Sequence, residues 1–203
     1  MEIIALIYWV IKYAVVAVIM AVIVLMLLRF ILNYADLNPF SRPVMNLRRF
    51  SDPLVNPVRR ALVGFGVAPN VAPLVVILLA ILLAWFALVL AASALNTVVG
   101  IIYSMQRAAF IALTGYVLYG LLGFYSLLIF IRIIFSWGMV SYANPVMRFL
   151  VNVTDPLLIP LRRMIPPLGM IDISPIVAFI IIWLFQAAIA GTLLNGWPLQ
   201  FIR

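Results

Sequence analysis

The chain has 203 residues, of which 68% are hydrophobic and only 9% are charged. Soluble domains are about 45–50% apolar and about 25% charged, so a chain this apolar is expected to lie in a bilayer. It contains no cysteine and no histidine, which excludes disulfides, thiolate and imidazole chemistry and nearly every zinc, copper or haem site. We therefore expect no metal ion and no cofactor. The net charge of +8 favours a membrane surface, not nucleic acid, as the partner of the basic residues.

Four apolar stretches are each long enough to cross the hydrocarbon layer as a helix, which takes about 20 residues. The first contains one charge, Lys12, which is expected to extend outward to the headgroups. Arg29 and Arg132 directly follow the first and third stretches and are expected to extend to the opposite headgroups. The predicted spans are Ile3–Leu28, Pro73–Ala94, Ala108–Ile131 and Pro175–Leu194.

The basic residues are concentrated in two connections between these spans. Ten of the thirteen lie between the first and second spans or between the third and fourth, which leaves Lys12, Arg107 and Arg203. The positive-inside rule then predicts that both arginine-rich connections face the cytoplasm and that both termini face outward.

The two arginine-rich connections share a motif at a separation of 103 residues. Asp52–Arg60 reads DPLVNPVRR and Asp155–Arg163 reads DPLLIPLRR, so six positions of D-P-L-x-x-P-x-R-R are fixed. So long a match is not expected by chance in a short chain. It predicts two repeats, residues 1–94 and 108–203, joined by an outer connection at 95–107. Both connections lie on one side, so the repeats are parallel, which disfavours inverted-repeat transporters.

Proline follows a capping residue repeatedly in these connections, as in Asn144-Pro145 and Ser174-Pro175. Such pairs are typical of helix starts, so each connection is predicted to contain several short interfacial helices, with Asp52 and Asp155 as caps. The predicted fold is all-α, with four membrane helices arranged as two parallel helical hairpins. The loop-motif residues are Asn38, Pro39, Asp52, Pro53, Pro57, Asn144, Pro145, Asp155, Pro156, Pro160, Asp172, Ser174 and Pro175.

On these motifs the chain resembles the YggT family of membrane proteins, also called YlmG, found in bacteria and plastids. The resemblance covers Arg29–Ala92 and Arg132–Leu194. It implies a protein of the bacterial cytoplasmic (inner) membrane without established enzymatic activity, linked to envelope homeostasis and, in plastids, to assembly of membrane complexes. The first half departs from the pattern, with Asn70 and Ala72 where the second has Asp172 and Ser174. A role for the Asp-Ser pair is therefore expected in the second half.

The arginines of the connections are the candidate binding residues, and three interpretations stay open. They could set topology by anchoring the connections inside, or pair with Asp52 and Asp155 within the chain. In the third interpretation, they bind anionic headgroups or carboxylates of a partner, because guanidinium forms bidentate contacts with phosphate. The candidates are Arg48, Arg59, Arg60, Arg148, Arg162 and Arg163.

Gln186 is a polar residue inside a predicted span, near the bilayer centre. Its amide is expected to bond to another helix, at Tyr119 or at Gln186 of a second copy, with a pore constriction as the alternative. Small residues four apart, Ala187 and Gly191, are compatible with a homo-oligomer. The spans contain no carboxylate, which disfavours a proton- or sodium-coupled transporter.

The sequence therefore predicts a non-enzymatic membrane scaffold or assembly factor that binds anionic lipid or a partner membrane protein. An oligomeric ion pathway that serves osmotic balance is the alternative. An intramembrane enzyme is disfavoured because no nucleophile and base can be assembled from these residues.

Overall fold

The computed structural model describes residues 2–34, 41–64, 66–137, 140–165 and 172–201. These ranges contain six α-helices and one short 3₁₀ turn. The predicted motif residues Asn38 and Pro39 lie outside them. The elements are α1 (Glu2–Tyr34), α2 (Arg42–Gly64), the 3₁₀ turn (Pro69–Val71), α3 (Ala72–Gln106), α4 (Phe110–Trp137), α5 (Pro145–Met164) and α6 (Ser174–Thr192).

Helices α1, α3, α4 and α6 are long and apolar enough to cross a membrane. At most 28% of the apolar window of any of them is buried inside the chain, so most of their surface remains for lipid. Helices α1 and α3 contain the predicted spans Ile3–Leu28 and Pro73–Ala94. Helix α4 begins two residues after the start of Ala108–Ile131, and α6 ends two residues before the end of Pro175–Leu194. Helix α3 differs most from the prediction, since it continues past Ala94 to Gln106 and includes most of the predicted connection at 95–107.

Each arginine-rich connection contains one continuous helix in its described part, where the sequence predicted several short ones. Helix α2 has 23 residues and includes Pro53 and Pro57, and α5 has 20 and includes Pro156 and Pro160. An interior proline removes a backbone hydrogen bond and usually breaks a helix. Helix α5 persists because its other face is buried, through Met147, Leu150, Thr154, Leu158 and Leu161.

The described residues form two compact units. In the smaller unit (13–34, 41–64 and 66–86), a buried apolar cluster joins three helices. Met26 of α1 and Val55 of α2 are fully buried there, together with Ala72 and Val76 of α3. This cluster fixes α2 against the end of α1 that carries Arg29.

In the larger unit (2–12, 87–137, 140–165 and 172–201), α4, α5 and α6 pack on one another. The ring of Tyr116 on α4 is fully buried, and its hydroxyl donates to the Pro198 carbonyl at 2.6 Å. The Asn96 side chain on α3 accepts from the Phe201 backbone at 2.7 Å. These bonds hold the segment after α6 against α3 and α4.

Candidate functional site

Arg29, near the C-terminal end of α1, is buried in the smaller unit and pairs with Asp52 of α2. Its Nη2 lies 2.8 Å from Asp52 Oδ1, and the residue is only 5% exposed. The sequence placed this side chain among headgroups and treated Asp52 as a helix cap. The expected cap is wrong, since Asp52 lies inside α2 and not at its start, and the packing of α2 against α1 brings the two charges together.

Arg132, near the C-terminal end of α4, makes the corresponding pair in the larger unit. Its Nη1 lies 2.7 Å from Asp155 Oδ1 and donates to Thr154 Oγ1 at 2.5 Å. The contact with Asp155 is close but not aligned for a hydrogen bond, so it is an ion pair, and Thr154 takes the hydrogen bond. Arg132 is 6% exposed, and Asp155 lies inside α5, not at its start. The N-cap of α5 is Asn144, whose side chain accepts from the Val146 nitrogen at 2.8 Å.

The two ion pairs fall at equivalent positions of the repeated motif. Arg29 and Arg132 are 103 residues apart in the sequence, and so are Asp52 and Asp155. Sequence reasoning recognised this spacing but did not pair the residues with each other. The common offset of the arginines and aspartates was the available signal, because a contact made in one repeat is expected in the other.

The surroundings of the two buried arginines differ. Among the described residues, Nε and Nη1 of Arg29 have no hydrogen-bond partner, and neither does the buried Nε of Arg59 on α2. The charges of Arg48 and Arg59 both act unfavourably on that of Arg29. A buried donor without a partner costs about 1–3 kcal/mol. The smaller unit therefore has several buried N–H donors around a single carboxylate, Asp52.

The other predicted arginines lie largely at the surface. Arg60 on α2 is exposed, as are Arg148, Arg162 and Arg163 on α5, while Arg48 is partly buried. Arg162 pairs through Nε with Asp172 Oδ2 at 2.7 Å. The described part of the chain thus pairs Arg162 with Asp172, not with Asp155.

Asp172 lies just before α6 and prepares the start of that helix. Its Oδ1 accepts from the Ser174 backbone nitrogen at 2.9 Å, whereas the N-cap position itself, Ile173, supplies no side-chain bond. Ser174 was predicted as the capping residue, but it is buried and its own backbone is bonded by Asp172. Burial opposes ionisation of Asp172, but the hydrogen bonds from Ser174 and the interaction with Arg162 outweigh it, so the pKa of this carboxyl is lowered.

Acidification is expected to remove the stabilisation that Asp172 provides. Because the pKa of the Asp172 carboxyl is lowered by folding, its contribution is present at neutral pH and is lost as the pH falls through the usual carboxyl range, about 4, and below. Thermal unfolding of the purified protein between pH 7 and pH 3 should show a smaller acid-induced loss for Asp172→Asn than for the wild type. Equal losses would show that Asp172 does not contribute.

Gln186 on α6 is 7% exposed and bonds across to α4. Its Nε2 donates to the backbone carbonyl of Tyr119 at 3.1 Å. Gly123 lies on the same contact, where an added Cβ would meet Gln186 Nε2 at 3.5 Å. The amide therefore links two packed helices, and this geometry gives no support to a pore constriction at Gln186.

Four apolar helices with lipid-facing surfaces define the class, an integral membrane protein built of α-helices. Residues 111–193 match the model of the CCB3/YggT family. The chain is 34% identical over 184 residues to the uncharacterised protein PA0392 of Pseudomonas aeruginosa, covering 88% of each chain. It is 30% identical over 157 residues to the uncharacterised protein YggT of Escherichia coli K12, covering 77% of this chain and 74% of that one. The chain belongs to the CCB3/YggT family. No solved structure matches it significantly.

Proposed function

We propose that this protein is a non-enzymatic scaffold or assembly factor of the bacterial cytoplasmic membrane, and that its arginine-bearing helices α2 and α5 bind anionic lipid and a partner membrane protein. One observation carries the proposal. The exposed face of α5 mixes Arg148, Arg162 and Arg163 with large apolar side chains. Phe149 is 54% exposed and Met164 is 77% exposed on that face.

Such a mixed surface suits a membrane interface or a protein partner better than bulk water. Apolar side chains on an interfacial helix enter the acyl boundary, while arginines contact the headgroups. Helix α2 has the same character, with Phe50 71% exposed near Arg48 and Arg49. Guanidinium groups also bind phosphate and carboxylate with two parallel hydrogen bonds, which favours an anionic partner.

We further propose that α2 and α5 form the cytoplasmic interface of two parallel repeats and that both termini lie outside. The chain has no cysteine, so single cysteines report topology directly. In spheroplasts, an impermeant maleimide should label Asn195→Cys, which follows α6, and should label Asn152→Cys on α5 only after lysis. Labelling of Asn152→Cys in intact spheroplasts would overturn the orientation.

The association itself is tested by removing arginine pairs. Arg59→Ala/Arg60→Ala and Arg162→Ala/Arg163→Ala should leave insertion intact but abolish co-purification of the partner from native membranes in neutral detergent. The matched control is Arg42→Ala/Arg107→Ala, which removes the same charge from exposed positions outside the repeated motif. Unchanged association in both motif variants would refute the proposal, as would equal loss in the control.

A further inference from the structure

The smaller unit contains a cluster of three arginines with more donors than the described residues satisfy. Arg29 is only 5% exposed, and no described residue bonds to its Nε or Nη1. Arg59 adds a buried Nε that no described residue bonds, and the positive charges of Arg48 and Arg59 both interact unfavourably with that of Arg29. Against these three cations, the described residues provide Asp52 alone within ion-pairing distance. Within the described part of the chain, the cluster therefore has an excess of positive charge and of hydrogen-bond donors.

The corresponding arginines of the larger unit each have a carboxylate partner within the chain. Arg132 has both Thr154 and Asp155, and Arg162, the counterpart of Arg59, has Asp172 at 2.7 Å. The difference can be traced to a few positions in the sequence.

Asn70 stands where the second half has Asp172, so the carboxylate that engages Arg162 has no counterpart for Arg59. Arg48 stands 103 residues before Val151, so the first half also has an additional cation. The 3₁₀ turn that contains Asn70 packs on α2, the helix of Arg48 and Arg59. These replacements leave the first-half cluster without the second carboxylate that the second half has.

We propose that Arg29, Arg48 and Arg59 bind the phosphate of one anionic lipid headgroup. This inference rests on the proposed function and assigns its lipid site to the first half. A phosphate offers several strong acceptor oxygens, which match the unused N–H donors. Arg29 directly follows the apolar part of α1, at the depth where lipid phosphates meet the hydrocarbon. This position favours a lipid over a soluble phosphate as the source of the group.

The test measures binding of a fluorescent phosphatidylglycerol to the purified full chain in neutral detergent micelles. Phosphatidylcholine and inorganic phosphate serve as competitors. Arg59→Gln removes one donor, and Asn70→Asp supplies the carboxylate found in the second half without removing any arginine. Each should weaken binding about tenfold, because charge-assisted hydrogen bonds are lost or diverted. The matched controls are Arg107→Gln and Asn152→Asp, which make the same changes of charge at exposed positions outside the cluster.

We expect binding to saturate at one lipid per chain, without competition by phosphatidylcholine. Each control variant should change the affinity less than about twofold, because solvent and salt screen the effect of a distant exposed charge. Equal weakening by the controls would overturn the site, since it would indicate attraction to net charge alone. An unchanged affinity in Arg59→Gln and Asn70→Asp would also overturn it. Displacement of the lipid by inorganic phosphate at similar concentration would overturn the lipid assignment.

Failure of the proposed lipid site can be distinguished from failure of the proposed scaffold function. Loss of partner association in the arginine-pair variants, together with normal lipid binding in Asn70→Asp, would retain the function and reject this site. Normal association in those variants, together with weakened lipid binding in Asn70→Asp, would retain the site and reject the partner interface.

Discussion

Replacing Asp155 by alanine is expected to lower the free energy of unfolding by about 3–5 kcal/mol, because it leaves the guanidinium of Arg132 buried without its counter-charge. The Arg132 side chain is 8% exposed, and Asp155 is the carboxylate that pairs with it, at 2.7 Å. Thr154 still accepts one hydrogen bond but provides no charge. Denaturant unfolding in detergent micelles, followed by circular dichroism, measures the effect.

A double replacement provides the control for this prediction. Arg132→Met/Asp155→Leu removes both charges, so it should be less destabilising than Asp155→Ala alone, because an apolar pair requires no counter-charge. If Asp155→Ala lowered the free energy of unfolding by less than about 1 kcal/mol, the pair would be no stronger than a solvent-screened surface ion pair. It would contradict the buried geometry.

Gly100→Ala is expected to destabilise the larger unit by about 1–3 kcal/mol, the usual cost of overpacking a filled core. A Cβ at Gly100 on α3 would overlap the ring of Tyr116 on α4. This ring is 1% exposed, and its hydroxyl is bonded to Pro198, so it cannot move aside. The same unfolding assay measures the loss.

Gly191→Ala is the matched control, since it makes the same change within α6. Apart from the adjacent residues and backbone of its own helix, no described atom lies within 4 Å of a Cβ at Gly191. Alanine should therefore be neutral there or stabilising by up to about 1 kcal/mol through its helix propensity. Equal destabilisation by both variants would show that glycine flexibility, not the contact with Tyr116, determines the effect.

The spanning helices could be predicted from sequence because the length of an apolar segment is a local property. The end of α3 could not, since its last part contains Asn96, Thr97 and Ser104, which resemble a loop. In the structure these side chains bond back to carbonyls of their own helix, at 2.8, 2.8 and 2.9 Å. Polar residues satisfied in this way allow the helix to continue to Gln106.

Proline was informative in one context and misleading in another. Pro145 does begin α5, next to the N-cap Asn144, as the sequence predicts. Pro156 and Pro160 follow the same local pattern but lie inside that helix. The rule that proline after a capping residue begins a helix wrongly predicted a helix start at Pro156. The helix continues there because its opposite face is buried by packing on α4 and α6, which a local sequence pattern does not reveal.

The candidate site was predictable only in part. Composition and spacing identified the adjacent arginines of the repeated motif, but they did not show that Arg29 and Arg132 form ion pairs within the chain. Their partners, Asp52 and Asp155, lie more than 20 residues away on other helices, so the pairing requires the tertiary fold. That Arg59 has no matching carboxylate could be recognised only from the structure, in which its counterpart Arg162 pairs with Asp172.

Photo-crosslinking from α5 in native membranes tests the central claim most directly. A photoreactive phenylalanine analogue in place of Phe149, beside Arg148, should crosslink to a distinct membrane protein identified by mass spectrometry. This crosslink should disappear in Arg162→Ala/Arg163→Ala. The same analogue in place of Phe110, which is 75% exposed at the start of α4, should not form it. Crosslinks from Phe149 only to copies of this chain, or to the same proteins as from Phe110, would contradict a scaffold that acts through its arginine-bearing helices.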